Sequence, residues 1–206
     1  MSVNRHLKPL MRQIATQDEV EIVAPGDAET AAALAYVAEC YGFRYSGVRL
    51  VGRHKVLHVD LVRGTDPAAQ QRAAANVAAF PDPGKDRPVP GMYLGSLKPV
   101  PETQAEVDVL ADLIRYDRLV AAGNPRQLRA LAAGSAVLFL LLTVVTGKYA
   151  VLVPITVLLP ALLLGSIRVN ASHRAKLGRR LTAAGCAQAR DHRGVERYMR
   201  PVPYAV

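Results

Sequence analysis

The sequence has no tryptophan and only two cysteines, Cys40 and Cys186. Two thiols cannot supply the four-ligand spacing of a zinc site. In a reducing cytoplasm they read as small buried apolar residues, not as a disulfide. Phosphate-binding signatures are missing too. Gly84-Lys85 lacks the first glycine and the hydroxyl residue of a Gly-x4-Gly-Lys-Ser/Thr loop, and neither Gly-x-Gly-x-x-Gly nor Gly-x-Ser-x-Gly occurs. No cofactor and no metal are expected. The opening residues 1–20 are basic but contain no apolar run of the kind a secretory signal needs. Leu7, Leu10, Met11 and Ile14 do follow helical spacing there, among Arg5, Lys8 and Arg12. That stripe suits either an interfacial helix or packing onto a soluble region.

Acidic residues run out after residue 126. Residues 1–126 hold 15 Lys+Arg and 15 Asp+Glu, whereas residues 127–206 hold 11 and 2, so the whole +9 net charge lies in the last part of the chain. A nucleic-acid-binding domain carries its own basic patch. Here the excess adjoins apolar segments instead, which points to anionic lipid headgroups as the partner and away from nucleic acid.

Ionisable side chains are absent from residues 130–146 and from residues 149–167. Each run is close to the length that crosses a bilayer core of about 30 Å. Only Gly147 and Lys148 separate them, so two antiparallel transmembrane helices are expected. Arg115, Arg118, Arg126 and Arg129 precede the first span, while Arg168, Arg174, Lys176, Arg179 and Arg180 follow the second. Against the lone Lys148, this asymmetry places both flanks and both termini in the cytoplasm, in what reads as a bacterial inner membrane. Arg129, Arg168, Arg174, Lys176, Arg179 and Arg180 are the expected headgroup contacts. Ala130 and Gly134 lie at matched depth with Gly165 and Ala161, and such small residues let helices approach closely. They are expected to line the contact within the hairpin, or a contact between copies. Pro154 and Pro160 interrupt the second span's hydrogen bonding.

The remainder reads as an α+β domain. Residues 19–24 form a strand, ended by Pro25-Gly26. A helix from Asp27 or Glu29 reaches about Tyr41, and Gly42 stops it. Residues 43–51 and 55–63 form a hairpin around Gly52-Arg53-His54. Thr65 caps a helix from Pro67 to about Phe80. Pro81, Pro83, Pro88, Pro90, Pro99 and Pro101 then frame a possible strand at 91–97. The order β-α-β-β-α-β is that of a ferredoxin-like sandwich, with a looser α+β domain as the alternative. Thr103 and Glu106 fit a capping box, followed by a stripe of Val109, Leu113, Tyr116 and Val120. Gly123-Asn124-Pro125 separates that helix from the first span. After Ile167 the helix continues to about Ala184. The expected divisions are a basic amphipathic segment (1–18), the α+β domain (19–101), a connecting helix (102–129), the transmembrane hairpin (130–167) and a basic cytoplasmic tail (168–206).

His54 and His58, four apart on a strand, would stand roughly 13 Å from each other, too far to share a metal with bonds of about 2 Å. His58 and Asp60 share a strand face and are the only pair open to a catalytic reading, which is incomplete. Spans with Ser135, Thr143, Thr156 and Ser166 among their polar side chains but no Asp, Glu, His, Lys or Arg do not suit proton-coupled transport. The expectation is a membrane-anchored, non-enzymatic protein that presents its α+β domain to a protein partner or ligand, with self-association open. The alternative is a small oligomeric, membrane-perturbing pore.

Overall fold

The computed structural model describes residues 4–24, 27–81, 83, 87–122, 125–146, 149–190 and 196–200. They form α1 (Asn4–Thr16), β1 (Glu19–Ala24), α2 (Ala28–Cys40), β2 (Phe43–Val51), β3 (Val56–Arg63), α3 (Pro67–Ala79), α4 (Pro101–Ala122), α5 (Pro125–Thr146), α6 (Tyr149–Ala183), β4 (Ala187–Arg190) and β5 (Glu196–Met199). Two compact units result. One contains Met1–Arg118 together with Arg179–Val206, and the other is Leu119–Gly178. The expected breaks at Pro25-Gly26, Gly123-Asn124 and Gly147-Lys148 fall outside the described residues.

The first unit is a small α+β fold. Its sheet has the order β1-β3-β2, with β3 antiparallel to both neighbours. β1 and β2 therefore run parallel on either side of β3, joined through α2. Strand alternation sends Val20 and Ile22 of β1 and Leu57, Val59 and Leu61 of β3 to a buried face. The stripe on α1 packs inward, with Leu7 and Leu10 at most 4% exposed. α2 is enclosed rather than one-sided. Ala31, Ala32, Ala33, Leu34 and Ala35 are all buried, and five successive residues at about 100° each span every face of a helix. Alanine suits such a helix because its neighbours approach closely from several sides. Asp27 starts α2, accepting from the backbone of Glu29 at 3.0 Å and of Thr30 at 3.3 Å.

Several boundaries differ from those expected. Asp66, not Thr65, caps α3, because it directly precedes Pro67 at the first helical position. Lys55 belongs to the turn between β2 and β3, where it adopts φ 49°. α4 begins at Pro101, so Thr103 is no cap; its hydroxyl instead donates to the Gly91 carbonyl at 2.6 Å.

The expected fourth strand at 91–97 does not form. This stretch folds into tight turns with Gly91 and Gly95 at φ 69° and 68°, and Met92 and Pro99 make only an isolated bridge. Prolines without an N–H and glycines with positive φ favour turns over a sheet ladder. A Cβ on Gly91 would lie 2.6 Å from Tyr36 and 2.9 Å from Thr103, whereas one on Gly95 would meet nothing within 4 Å.

The second unit contains two helices long and apolar enough to cross a membrane, over Leu128–Thr146 and Val153–Ala183. Few of their apolar side chains are covered: Val145 is 81% exposed and Leu162 69%. α6 continues well beyond its apolar part. Its 35 residues measure about 52 Å at the usual rise per residue.

Gly95→Ala should destabilise by about 1 kcal/mol, from backbone conformation alone. Gly91→Ala should add a further ~1–3 kcal/mol of overpacking against Tyr36 and Thr103. Denaturant unfolding of both variants measures the difference, and equal losses would refute this account of Gly91.

Candidate functional site

One candidate site lies in the α+β unit. A cavity of about 730 Å³ opens between α2, the β2 strand, α3, α4 and the C-terminal strand β5. Phe43, Leu110 and Leu113 supply apolar wall, and Arg72, Asn76 and Phe80 face it from α3. α3 stands over this space because it contributes no buried residue. It is tied down near its end, where Asn76 donates to the Cys40 carbonyl at 2.7 Å and the Tyr41 hydroxyl donates to Phe80 at 3.2 Å.

β5 and Arg200 form the opposite wall. Arg200 Nη1 lies 3.0 Å from Glu39 of α2, and its Nη2 lies 3.1 Å from Glu106 of α4. The Arg200 side chain is 16% exposed and Glu39 19%. One guanidinium thus joins two helices and the tail in a pair of charge-assisted bonds, part-buried at Glu39 and more open at Glu106, whose side chain is 37% exposed. Two residues earlier, Tyr198 meets Tyr116 edge to face, with centroids 5.0 Å apart. Arg197 donates to the Ser46 carbonyl at 3.3 Å, and its guanidinium rests where a side chain on Gly47 would stand. Deeper in, the Tyr45 hydroxyl donates to Asp117 at 2.7 Å. Burial and the neighbouring Asp117 carboxylate hold the Tyr45 proton well beyond its usual range. Burial also pushes the Cys40 thiol up to about 11, so this cysteine is a protonated, unreactive wall residue at neutral pH.

The sequence pattern marks Leu113 and Tyr116 as stripe residues, Cys40 as a buried thiol and Glu106 as part of a capping box, but none of them as part of a site. One signal was available: Asp117 follows Tyr116 on a helix face rich in apolar residues, and it is 4% exposed. Arg200, Glu39 and Glu106 carry no local signal, since only the fold brings them together.

The pair His58 and Asp60 sits elsewhere, on the open face of the sheet. Arg49 of β2 grips Asp60 at 2.7 Å through two nitrogens and reaches Glu21 of β1 at 2.9 Å. Glu21 in turn contacts His58 Nδ1 at 2.8 Å. Each member therefore has a cross-strand partner, which is a structural arrangement. Among the described residues no group of three or more His, Cys, Asp or Glu is placed to hold a metal.

Ala130, Gly134, Ala161 and Gly165 are all exposed, and a Cβ on either glycine would meet nothing within 4 Å. The contact within the hairpin expected of them is not made. The inward stripe of α5 runs through Leu128, Ala132, Ser135, Ala136, Phe139 and Thr143. That of α6 runs through Thr156, Leu159, Pro160, Leu163, Ile167, Asn170 and Arg174. Each small residue lies two positions from a stripe residue, which is about 200° around a helix. The hydroxyls of Ser135, Thr143 and Ser166 bond the carbonyls of Ala132, Phe139 and Leu163 at 2.7–2.9 Å.

Of the expected headgroup contacts, Arg129, Arg168, Lys176, Arg179 and Arg180 are exposed and Arg174 is half-buried. Arg180 also lies 3.9 Å from Asp112. Arg115 pairs with Glu29 and Asp112 at 2.8 and 3.2 Å. Family models, curated proteins and solved structures were each compared with the chain, and none matches.

Burial raises the Glu39 carboxyl above its usual value of 4.5, with Arg200 opposing the shift. The folded chain therefore holds this proton more tightly than the unfolded chain. The resulting stabilisation is complete below about pH 4.5 and is lost as the pH rises through the raised folded value. Thermal melts from pH 4.5 to 7.5 should show the wild type losing stability relative to Glu39→Gln, and a constant difference would refute the shift.

Proposed function

We propose that the chain is a two-pass protein of a bacterial inner membrane, with both termini cytoplasmic. In this reading α5 and α6 anchor the α+β unit at the cytoplasmic face. The unit binds a protein partner or a small ligand there and catalyses no reaction. The uncovered apolar side chains of α5 and α6 carry the reading. Val144, Val145, Val157 and Leu162 are 64–81% exposed, on helices where at most 11% of the apolar window is buried. A core helix would bury these side chains, and water does not accept so large an apolar surface. A bilayer covers them. The cytoplasmic placement of the flanks rests on the basic residues around the spans, and the exposed Arg129, Arg168, Lys176, Arg179 and Arg180 are free to meet anionic headgroups. The binding role draws on the cavity, whose mixed apolar and charged walls suit a ligand or an inserted peptide.

A second reading, a small oligomeric pore, is favoured by the outward faces of Ala130, Gly134, Ala161 and Gly165. Small residues pointing away from their own hairpin are available to another copy.

Tagged full-length protein should remain in the membrane pellet after alkaline carbonate washing. A thiol at position 148 should react from outside spheroplasts, and one at position 179 should not. Purified in mild detergent, the protein should bring a stoichiometric partner that is lost on deleting residues 19–101. Release by carbonate would defeat the anchor. A homogeneous homo-oligomer without a partner, leaking dye from liposomes, would establish the pore instead.

A further inference from the structure

The C-terminal strand is seated on the α+β unit in the manner of a bound peptide. Within the described residues β5 pairs along its backbone only with β4, as a short two-stranded ribbon. Such a ribbon is not stable by itself. Side chains hold it in place: Arg200 between Glu39 and Glu106, Tyr198 against Tyr116, and Arg197 on the Ser46 carbonyl. Residues two apart on an extended chain point the same way, so Tyr198 and Arg200 act as paired anchors. The receiving surface is preformed by core elements. Glu39 ends the enclosed helix α2, and Glu106 lies one turn before the buried residues Leu110 and Ala111 of α4. Without Arg200, the part-buried Glu39 and the more exposed Glu106 would be left as two unpaired carboxylates, a charge arrangement that another guanidinium would complement.

We propose that the groove between α2, α4 and β2 is a docking site for an extended segment of another protein, carrying an arginine two residues after an aromatic residue. The chain's own C-terminal strand closes the groove in cis. This rests on the partner-binding reading above and names the chemistry of the partner. A tethered occupant competes at a high effective concentration, so a partner segment enters only when the strand is released or outcompeted.

The probe is a fluorescein-labelled peptide with the sequence of residues 196–200, Glu-Arg-Tyr-Met-Arg, followed by anisotropy on full-length protein in lipid nanodiscs. Arg200→Glu places a third carboxylate beside Glu39 and Glu106 and releases the strand, while Arg200→Ala removes the anchor without reversing its charge. Both variants should bind the peptide at least about tenfold more tightly than the wild type does. Adding Glu39→Gln and Glu106→Gln should abolish that binding, and replacing the peptide's tyrosine with alanine should weaken it. On the wild type, excess peptide should speed hydrogen exchange across Glu196–Met199, a test that needs no variant to fold. The proposal is overturned if folded Arg200 variants bind no peptide, if they bind it no better than the wild type, or if exchange is unchanged at saturating excess. A wild-type dimer that Arg200→Glu converts to monomer would assign the groove to a second copy's strand and also overturn it. None of these results depends on carbonate extraction or partner capture, so the anchor reading stands or fails separately.

Discussion

The uncovered apolar surface of α5 and α6 is the constraint from which the rest of the chain's organisation follows. Those side chains have no partner of their own size in so short a chain, and the α+β unit already closes its core without them. Val20, Ile22, Leu57, Val59 and Leu61 face an interior that α1 and α2 help to close, leaving at most 5% of each exposed. The two units therefore answer to different solvents. The first holds all of the chain's acids together with most of its bases and alternates apolar with polar residues along its strands. The second keeps charge out of its spans and satisfies its hydroxyls on its own helix carbonyls, as a segment without access to water must. Basic residues are also concentrated after Ile167, next to the apolar segment, where Arg168, Lys176, Arg179 and Arg180 are exposed.

Within the α+β unit, polar groups divide into two classes with different roles. The open sheet face carries Arg49, Asp60, Glu21 and His58 in a cross-strand network, and Arg49 is more than half exposed. Exposed pairs of this kind contribute at most about 1 kcal/mol each, and they also mark the face as wet. Arg200, Glu39 and Glu106 form a different case. A desolvated ion pair adds little stability relative to well-packed apolar residues, yet removing one partner is strongly destabilising because the other charge remains buried. The raised Glu39 carboxyl shows the same balance, since burial outweighs the help from Arg200. Stability alone therefore does not account for this triad. Specificity does, because two carboxylates on separate helices accept one guanidinium in one geometry.

Local pattern was a sound guide wherever local pattern decides structure. The alternation of Leu57, Val59 and Leu61, the glycine after α2 and the Asp66-Pro67 start of α3 are all short-range signals, and the corresponding elements form within a residue or two of expectation. The charge-free runs after residue 130 are equally plain. Failures came where structure depends on partners distant in sequence or on angle. The stretch 91–97 has strand-like residues, but its glycines take positive φ and the flanking Pro90 and Pro99 withhold donors, so the fourth strand of a ferredoxin-like sheet is missing. The sequence from 191 onward shows no usable period, and β4 and β5 are only four residues each, with β5 and Arg200 held by side-chain contacts to α2, α4 and β2. Ala130, Gly134, Ala161 and Gly165 are exposed, and spacing along the sequence alone does not tell a contact within the hairpin from one between copies. The cavity was wholly illegible, since a void is a property of how α3 and β5 stand relative to the core.

That void has two weak walls, and their weakness has one physical source. α3 presents Ala69, Arg72 and Asn76 to the cavity and buries nothing, so few apolar contacts oppose its displacement. β5 is held by side chains rather than by continuation of the main sheet. Opposite them stand α2 and α4, whose buried residues cannot move without disrupting the core. An opening of the cavity should therefore move α3 or β5 and leave α2 and α4 in place. The strand is not a free tail, however. The end of α6 is capped by Gly185 at φ 81°, with Gly185 and Cys186 donating to Thr182 and Leu181 at 3.0 and 2.9 Å. Cys186 is itself buried, with its thiol pushed up by desolvation. This cap fixes where the ribbon begins, so release of Arg200 frees the distal strand while its base stays anchored. An occupant of the groove is thereby linked, through one short ribbon, to the helix that α6 extends from the apolar spans.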